Sequence, residues 1–196
     1  MRLILASASP RRKDLLAQLG LQFDVIPSQF NEDSIGVASP ADLVRRLALG
    51  KARAVLPEVE GEALVIGADT IVVLDGGILG KPRDEAEARA MLSSLSGRTH
   101  RVFTGVALVR LPGGEEHLGH EETAVTLRRL TPRQVAAYVA SGEPMDKAGA
   151  YAVQGLGSVL VERLEGDYFN VVGLPLPKLA RLLETFGIDV LDIAAR

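Results

Sequence analysis

The 196-residue sequence contains no cysteine and no tryptophan, and phenylalanine and tyrosine are few. Without cysteine, disulfide bonds, thiolate zinc sites and cysteine nucleophiles are excluded. With aromatic residues at only 4%, the core must be aliphatic, and an aromatic platform for single-stranded nucleic acid is not expected. No apolar run approaches the length of a membrane span. The remaining composition, with 47% hydrophobic and 24% charged residues, is typical of a globular protein.

Neither sign of charge is in large excess. The 22 basic and 25 acidic side chains leave a formal net charge of −3. A general binder of nucleic acid or of anionic membranes is therefore not expected, and an anionic ligand would need a local cluster of cations. The apolar stretch at residues 3–6 is too short for a signal peptide, so we expect a cytoplasmic protein. The length predicts one domain over residues 1–196.

The order of strand-like and helix-like segments indicates an α/β fold. Predicted strands cover residues 2–5, 22–26, 63–66, 71–74, 98–111, 116–130 and 158–164. Helices are predicted over residues 10–19, 40–55 and 84–95, from residue 132 onward, and over 175–186. Residues 67–70 are predicted to form a polar turn between two strands. Because strands and helices do not alternate strictly, we expect one long mixed sheet.

The first predicted helix begins directly after a short strand, and this arrangement favours an anion site. Ser9 is the expected N-cap, and Arg11 and Arg12 lie in the first turn. The free N–H groups and the helix dipole favour an anion there, and two guanidinium groups match phosphate oxygens. The alternative is a plain capped helix with solvated arginines. Cations in a first turn oppose the dipole, and this unfavourable placement points to a bound anion.

A carboxylate in the predicted turn is the second candidate. Asp69 could ligate Mg²⁺ or Mn²⁺ and could orient or deprotonate water. Alternatively, it satisfies backbone N–H groups of the turn, as Asp often does. Glu32, in the polar segment at residues 28–33, is a possible second carboxylate, although a charged loop would look the same.

Two lysines and one glutamine complete the candidates. Lys81 stands between glycine and proline, so its backbone is restrained and its ammonium could reach a phosphate; the segment is not a Walker A loop. Lys51 ends a helix, where a cation is also favoured by the dipole alone. Gln154 lies in the glycine-punctuated segment 143–158 and offers the donor and the acceptor that a base edge needs. The alternative for that segment is a structural loop with an internal Asp146–Lys147 pair.

Several common site types are missing. His100, His117 and His120 are too few and too badly placed for a histidine-based catalytic metal site. The sequence also has no Gly-x-Ser-x-Gly nucleophile elbow and no Gly-x-Gly-x-x-Gly dinucleotide motif. A histidine-held catalytic metal, an elbow serine nucleophile and a dinucleotide site of this type are therefore not expected.

Taken together, the motifs resemble those of the Maf family of nucleoside triphosphate pyrophosphatases, and the resemblance covers essentially the whole chain. The matching segments are residues 5–12, 67–70, 80–82, 95–100, 143–151, 155, 166–168 and 172–175. The resemblance implies a fold similar to inosine triphosphate pyrophosphatases (Ham1-like): an elongated mixed sheet flanked by helices, with two lobes around a cleft. It also implies hydrolysis between the α- and β-phosphates, with a divalent metal cation, Mg²⁺ or Mn²⁺, as cofactor.

The resemblance further implies roles for individual residues. Asp69 is expected to be the catalytic acid/base beside the metal, and Glu32 matches a family carboxylate that would share the metal. Arg11, Thr70 and Gln154 resemble the branch that acts on dTTP and UTP, including modified pyrimidine triphosphates. The residues expected to face the triphosphate are Ser7, Arg11, Arg12, Lys51 and Lys81.

Three other functions remain open at this stage. Within the enzyme class, 7-methyl-GTP is the alternative substrate. Maf proteins are also linked to septum formation, so a non-catalytic nucleotide-binding regulator is a second alternative. A nucleic-acid binder that uses residues 11–12 and 128–129 is the third, although the net charge and the few aromatics weigh against it. A homodimer is possible in each case.

Overall fold

Residues 1–31 and 39–194 are described by the computed structural model, in which seven strands form one sheet. The strands are β1 (Arg2–Leu5), β2 (Phe23–Val25), β3 (Ala63–Leu74), β4 (Gly77–Leu79), β5 (Thr99–Leu111), β6 (Glu116–Leu127) and β7 (Val161–Glu165). The α-helices are α1 (Pro10–Ala17), α2 (Pro40–Ala54), α3 (Glu85–Leu95), α4 (Pro132–Ala140), α5 (Tyr168–Val172), α6 (Leu176–Glu184) and α7 (Val190–Ala194). Short 3₁₀ helices cover Leu56–Glu58, Glu143–Asp146, Ala148–Ala150 and Gly155–Leu160. None of the helices in this part of the chain has the length and apolarity needed to cross a membrane.

The sheet combines both kinds of strand pairing. Its order is β2-β1-β3-β5-β6-β7, and β4 pairs with β3 outside this path. β1 is parallel to both β2 and β3, whereas β4 is antiparallel to β3 and β7 is antiparallel to β6. The mixed α/β fold expected from the sequence is therefore confirmed.

The chain divides into two compact units. The first contains Met1–Asp69, Thr104–Glu121 and Gly173–Arg196, and the second contains Thr70–Phe103 and Glu122–Val172. Three strands, β3, β5 and β6, change from one unit to the other along their length. The expectation of a single domain over residues 1–196 stays a prediction.

Helix α2 packs closely on the strands of the first unit. The buried core there consists mostly of small side chains, which let backbones come close; it contains Ile4, Ala6, Ala48, Ala52, Val55, Ala63, Val65, Ala107 and Val109. Gly105 on β5 marks the closest approach, because an added Cβ would lie 2.0 Å from the carbonyl oxygen of Val44 on α2. Any side chain at position 105 would push the helix away from the sheet.

Four helices begin with a side-chain cap, including the cap expected at Ser9, and one hairpin has an Asp-Gly turn. The side chains of Ser9, Ser39, Asp84 and Thr131 cap α1, α2, α3 and α4, each by accepting a backbone N–H of the first turn. The two-residue connection between β3 and β4 has positive φ at both positions, 51° and 80°. This is the backbone that an Asp-Gly hairpin turn requires.

The predicted turn at residues 67–70 is wrong, because β3 runs without a break from Ala63 to Leu74. The residue types that suggested a turn have tertiary roles instead. Gly67 gives room to the backbone of α2, and the Asp69 carboxylate is paired with Lys51. A polar cluster inside an apolar run therefore marks a buried contact of the strand.

The strand predicted over residues 158–164 also differs from the structure. β7 begins only at Val161, and the preceding residues form the 3₁₀ helix Gly155–Leu160. Glycines at 155 and 157 allow the tight turn of this short helix, and the apolar residues at its end resemble the start of a strand. The short helices α5 and α7 were not predicted.

The core of the second unit contains one buried histidine. His100 is 2% exposed, and its Nε2 atom lies 2.7 Å from the Tyr151 hydroxyl oxygen. Its Nδ1 atom has no hydrogen-bond partner among the described residues. Burial lowers the pKa of His100 to about 4, so the ring is neutral in the folded protein at physiological pH.

We predict that the folded protein loses stability as the pH falls from about 6.5 to about 4, because the unfolded chain binds a proton at His100 over this range and the folded chain does not. The loss attributable to this residue is about 3 kcal/mol at pH 4. Urea unfolding of the wild type and of His100→Gln at pH 7, 5 and 4 measures it. Equal pH dependence in the two proteins would contradict the prediction.

Candidate active site

The connection between β1 and α1 holds a serine and an arginine together. Ser7 is buried, and its Oγ atom accepts a hydrogen bond from the backbone N–H of Ser9 at 3.2 Å. The Arg12 side chain donates from Nη1 to the same Oγ at 3.5 Å and from Nε to the carbonyl oxygen of Gly173 at 2.8 Å. Arg11 and Arg12 are both half-buried. The structure therefore brings Ser7 and Arg12 together at the start of α1.

A buried ion pair forms between α2 and β3. Lys51 lies in the last turn of α2, and its Nζ atom donates to Oδ1 of Asp69. The side chains of Lys51 and Asp69 are only 15% and 10% exposed, respectively. Removing one partner would leave the other charge buried and unpaired, which is strongly destabilising. From the sequence, the helix dipole alone would explain a lysine at this helix end. The structure shows that Lys51 also makes a tertiary contact, the ion pair with Asp69.

The spacing of residues explains how this pair forms. Gly67 and Asp69 are two positions apart on β3 and face the same side of the sheet. An added Cβ at Gly67 would lie 2.1 Å from the carbonyl oxygen of Ala48 and 2.9 Å from the backbone nitrogen of Ala52. The helix backbone thus lies directly over Gly67, and Lys51, one turn along α2 from Ala48, reaches the Asp69 carboxylate.

The donor atoms at Asp69 suit one particular kind of metal binding. Carboxylate oxygens are preferred by Mg²⁺, which is usually held by one or two carboxylates together with substrate phosphates. Within residues 1–31 and 39–194, no three His, Cys, Asp or Glu side chains are grouped closely enough to form a complete metal site. Glu32, the other expected ligand, lies outside the described residues. A divalent metal held by Asp69 together with phosphate oxygens of a ligand stays a prediction.

The remaining expected site residues belong to the second unit. Thr70 is half-buried and directly follows Asp69 on β3. Lys81 is exposed, follows β4 and lines an open groove of about 490 Å³ beside α3. Gln154 is half-buried at the start of the 3₁₀ helix Gly155–Leu160. A site shared by these three residues and the Lys51–Asp69 pair stays a prediction.

Glu143 has a structural role near Gln154 that was not predicted from the sequence. The expected pair of Asp146 and Lys147 is present at 2.6 Å, but Lys147 also donates to the carbonyl oxygen of Glu143 at 2.6 Å. The Glu143 side chain in turn accepts hydrogen bonds from the segment that follows Gln154. The signal was available, because an acidic residue opens the same motif that contains the Asp-Lys pair.

The comparison with protein families identifies the chain. A family model described as "Maf-like protein" matches residues 2–186. The chain is a member of the Maf family. The resemblance expected from the motifs is therefore confirmed.

Curated relatives in the Maf family match the chain over nearly its whole length. A protein of Moorella thermoacetica is 58% identical over 96% of this chain and 97% of its own length. Relatives from Symbiobacterium thermophilum and Bacillus cereus are 54% and 50% identical over the same share of this chain, and cover 96% and 97% of their own lengths. Each of the three is named dTTP/UTP pyrophosphatase.

A solved structure is also similar to part of the chain. It is a dITP/XTP pyrophosphatase from Mycobacterium abscessus, with a TM-score of 0.41 and 18% identity. The match covers 66% of this chain and 76% of that chain.

We predict that Gly67→Ala separates α2 from β3 and weakens the Maf fold at the Lys51–Asp69 pair. Forcing a methyl group against the helix backbone lowers the free energy of unfolding by about 1–3 kcal/mol, measured by urea denaturation. Gly80→Ala is the matched control, because a Cβ there meets no described atom within 4 Å. Its effect is expected to stay below about 1 kcal/mol. Equal stabilities of the two variants would contradict the close approach at Gly67.

Proposed function

We propose that this chain hydrolyses dTTP and UTP to the nucleoside monophosphate and pyrophosphate. The observation that carries the proposal is the buried carboxylate of Asp69, which lies in one of the Maf motifs and is paired with Lys51. Relatives that are 50–58% identical over 96% of the chain and are named dTTP/UTP pyrophosphatase support the choice of substrate. Modified pyrimidine triphosphates are expected substrates of the same site.

In the proposed reaction, Asp69 acts as the base for a water molecule. The carboxylate accepts a proton from the water while the water oxygen forms a bond to the α-phosphorus. The bond between the α-phosphorus and the oxygen that bridges to the β-phosphate breaks, and that oxygen leaves with pyrophosphate. Such a base requires a carboxylate whose position is fixed, and burial with the Lys51 partner supplies this. A divalent cation at Asp69 and Glu32 would neutralise phosphate charge when bound.

Cationic side chains of the chain have the second role. A triphosphate carries about four negative charges, and these repel a water nucleophile until cations offset them. We propose that Arg11, Arg12, Lys51 and Lys81 supply this charge, with the Ser7 hydroxyl beside them. The contact between Arg12 and Ser7 supports this, because it fixes a guanidinium donor next to a hydroxyl at a helix start.

We propose that Arg11, Thr70 and Gln154 select the base. Uracil and thymine present an N3–H donor beside an O4 acceptor, and a side-chain amide can match both with its own acceptor and donor. Cytosine presents an acceptor and a donor in the reverse order, so the same amide orientation would be mismatched at both atoms. A held Gln154 amide therefore favours UTP and dTTP over CTP.

The other proposals for this chain concern where it works and with what. We propose that it acts in the cytoplasm on a nucleotide, without a nucleic acid or a membrane as partner, and that it can form a homodimer. The activity is tested by measuring pyrophosphate release from dTTP, UTP, CTP and 7-methyl-GTP in the presence of Mg²⁺ or Mn²⁺. An added inorganic pyrophosphatase converts the pyrophosphate to phosphate for detection. Preference for 7-methyl-GTP would identify the alternative substrate, and binding without hydrolysis would identify a non-catalytic regulator.

We predict that Asp69→Asn lowers kcat for UTP by about 10²–10⁴-fold, because the amide cannot accept the proton of the attacking water. Steady-state hydrolysis measures this, and circular dichroism verifies that the variant folds. Asp75→Asn is the matched control, since Asp75 is exposed and pairs with Arg98 in the second unit. An Asp69→Asn variant that turns over at the control rate would rule out the catalytic role.

We predict that Gln154→Ala reduces the preference for UTP over CTP by about 10-fold, because the hydrogen bonds that distinguish the two bases are lost. The ratio of kcat/KM for the two nucleotides is the measurement. The ratio is expected to change more than kcat for UTP does. A variant slowed equally for both nucleotides would show that Gln154 does not read the base.

A further inference from the structure

We infer that Glu143 is a positioning residue for nucleobase selection, because its side chain clamps the chain on both sides of Gln154. The inference rests on the proposed function, in which Gln154 recognises the base. It concerns only the second unit, where both residues lie. Glu143 itself is assigned no contact with the nucleotide.

The first half of the clamp follows Gln154. The Glu143 Oε1 atom accepts a hydrogen bond from the backbone N–H of Gly157 at 2.8 Å, and Oε2 accepts one from Leu156 at 3.0 Å. These N–H groups lie in the first turn of the 3₁₀ helix Gly155–Leu160, where no backbone acceptor of the helix is available to them. One carboxylate therefore holds the start of this helix through two hydrogen bonds.

The second half of the clamp precedes Gln154 and passes through a tyrosine. The Tyr138 hydroxyl on α4 donates to Oε1 of Glu143 at 2.8 Å and accepts the backbone N–H of Ala152 at 3.2 Å. Tyr138 is 6% exposed, and burial raises the pKa of its hydroxyl, so the group keeps the proton that it donates. Gln154 is thus bracketed by backbone groups that are tied to the Glu143–Tyr138 pair.

Glycines make this close arrangement possible. Gly155 has a φ of +62°, and an added Cβ there would lie 2.7 Å from Oε2 of Glu143. A Cβ on Gly157 would lie 2.2 Å from the carbonyl oxygen of Ala152. The segment around Gln154 is therefore folded tightly onto itself and onto the carboxylate, and it leaves no space for a side chain at position 155 or 157.

The clamp requires a charged carboxylate. Burial alone would raise the pKa of the Glu143 carboxyl, but its hydrogen bonds and the nearby Lys147 charge outweigh burial and lower the pKa. An ionised carboxylate accepts hydrogen bonds at both oxygens, and it has donors on both. A glutamine in its place has nearly the same shape, but whichever way its amide turns, its NH₂ group meets at least one backbone N–H donor, that of Leu156 or that of Gly157, so at least one hydrogen bond of the clamp is lost.

Base selection is the property that should depend on this clamp. The discrimination by Gln154 relies on a side-chain amide held at hydrogen-bond distance, and displacement by about 1 Å is enough to lose it. Binding of the phosphates involves other residues of the proposal and does not use Glu143. We therefore expect a Glu143 variant to lose selectivity through KM and to keep its affinity for a phosphate chain.

The test compares Glu143→Gln with Glu162→Gln, a matched change of an exposed carboxylate on β7. In Glu143→Gln, the ratio of kcat/KM for UTP to that for CTP should fall by about 10-fold, mainly through a higher KM for UTP. The inhibition constant of inorganic triphosphate should stay within about twofold of the wild type, because it has no base. Glu162→Gln should match the wild type in both measurements.

A double variant separates positioning from general damage. If Glu143 acts through Gln154, Glu143→Gln combined with Gln154→Ala should select no worse than Gln154→Ala alone. Tyr138→Phe, which removes a single hydroxyl group, should shift the ratio in the same direction and serves where Glu143→Gln fails to fold.

The outcomes are distinguishable. Unchanged selectivity in Glu143→Gln and Tyr138→Phe, with selectivity lost in Gln154→Ala, overturns the inference and leaves the proposed function standing. Weaker inhibition by inorganic triphosphate, together with equal slowing for every nucleotide, also overturns it, because the role is then structural. A wild type that hydrolyses neither dTTP nor UTP removes the proposed function and the inference with it.

Discussion

The close approach of α2 to the strands beneath it is the constraint on which the candidate site depends. Gly67 and Gly105 lie where the helix backbone would meet a Cβ at 2.1 and 2.0 Å. Because the helix lies this close, the ammonium of Lys51 reaches the Asp69 carboxylate and both charges are buried as a pair. A larger residue under the helix would enlarge the spacing and expose or separate the pair.

A buried ion pair of this kind contributes little to stability, since desolvation of both charges offsets their attraction. Its presence near a core of isoleucine, alanine and valine is therefore not explained by stability, and it is consistent with the chemical role proposed for Asp69. In the proposed reaction, Asp69 needs to be ionised and fixed, and a substrate with several negative charges needs cations close by. Lys51 meets both needs from one position at the end of α2.

Glu143 shows the same principle in the second unit. A charged side chain is retained at partial burial because backbone N–H groups and a tyrosine hydroxyl satisfy it. The result is a short segment with a defined shape around Gln154. Each unit thus has a carboxylate that is held by hydrogen bonds, Asp69 by Lys51 and Glu143 by Tyr138 and two backbone N–H groups. In each case a glycine leaves space for close packing, Gly67 under α2 and Gly155 beside Glu143.

Much of this protein follows from local rules that the sequence carries by itself. Interactions between neighbours along the chain determine the side-chain caps at Ser9 and Ser39, the Asp-Gly hairpin and the aliphatic strands. The Maf motifs can be recognised from the order of residue types alone. Tertiary structure alone decided that Asp69 lies within a continuous strand and that Glu143 reaches past Gln154. Both outcomes depend on contacts between residues far apart in sequence, with Lys51 in the first case and Gly157 in the second. A local sequence pattern does not predict them, because the interaction energy arises only when the fold brings these residues into contact.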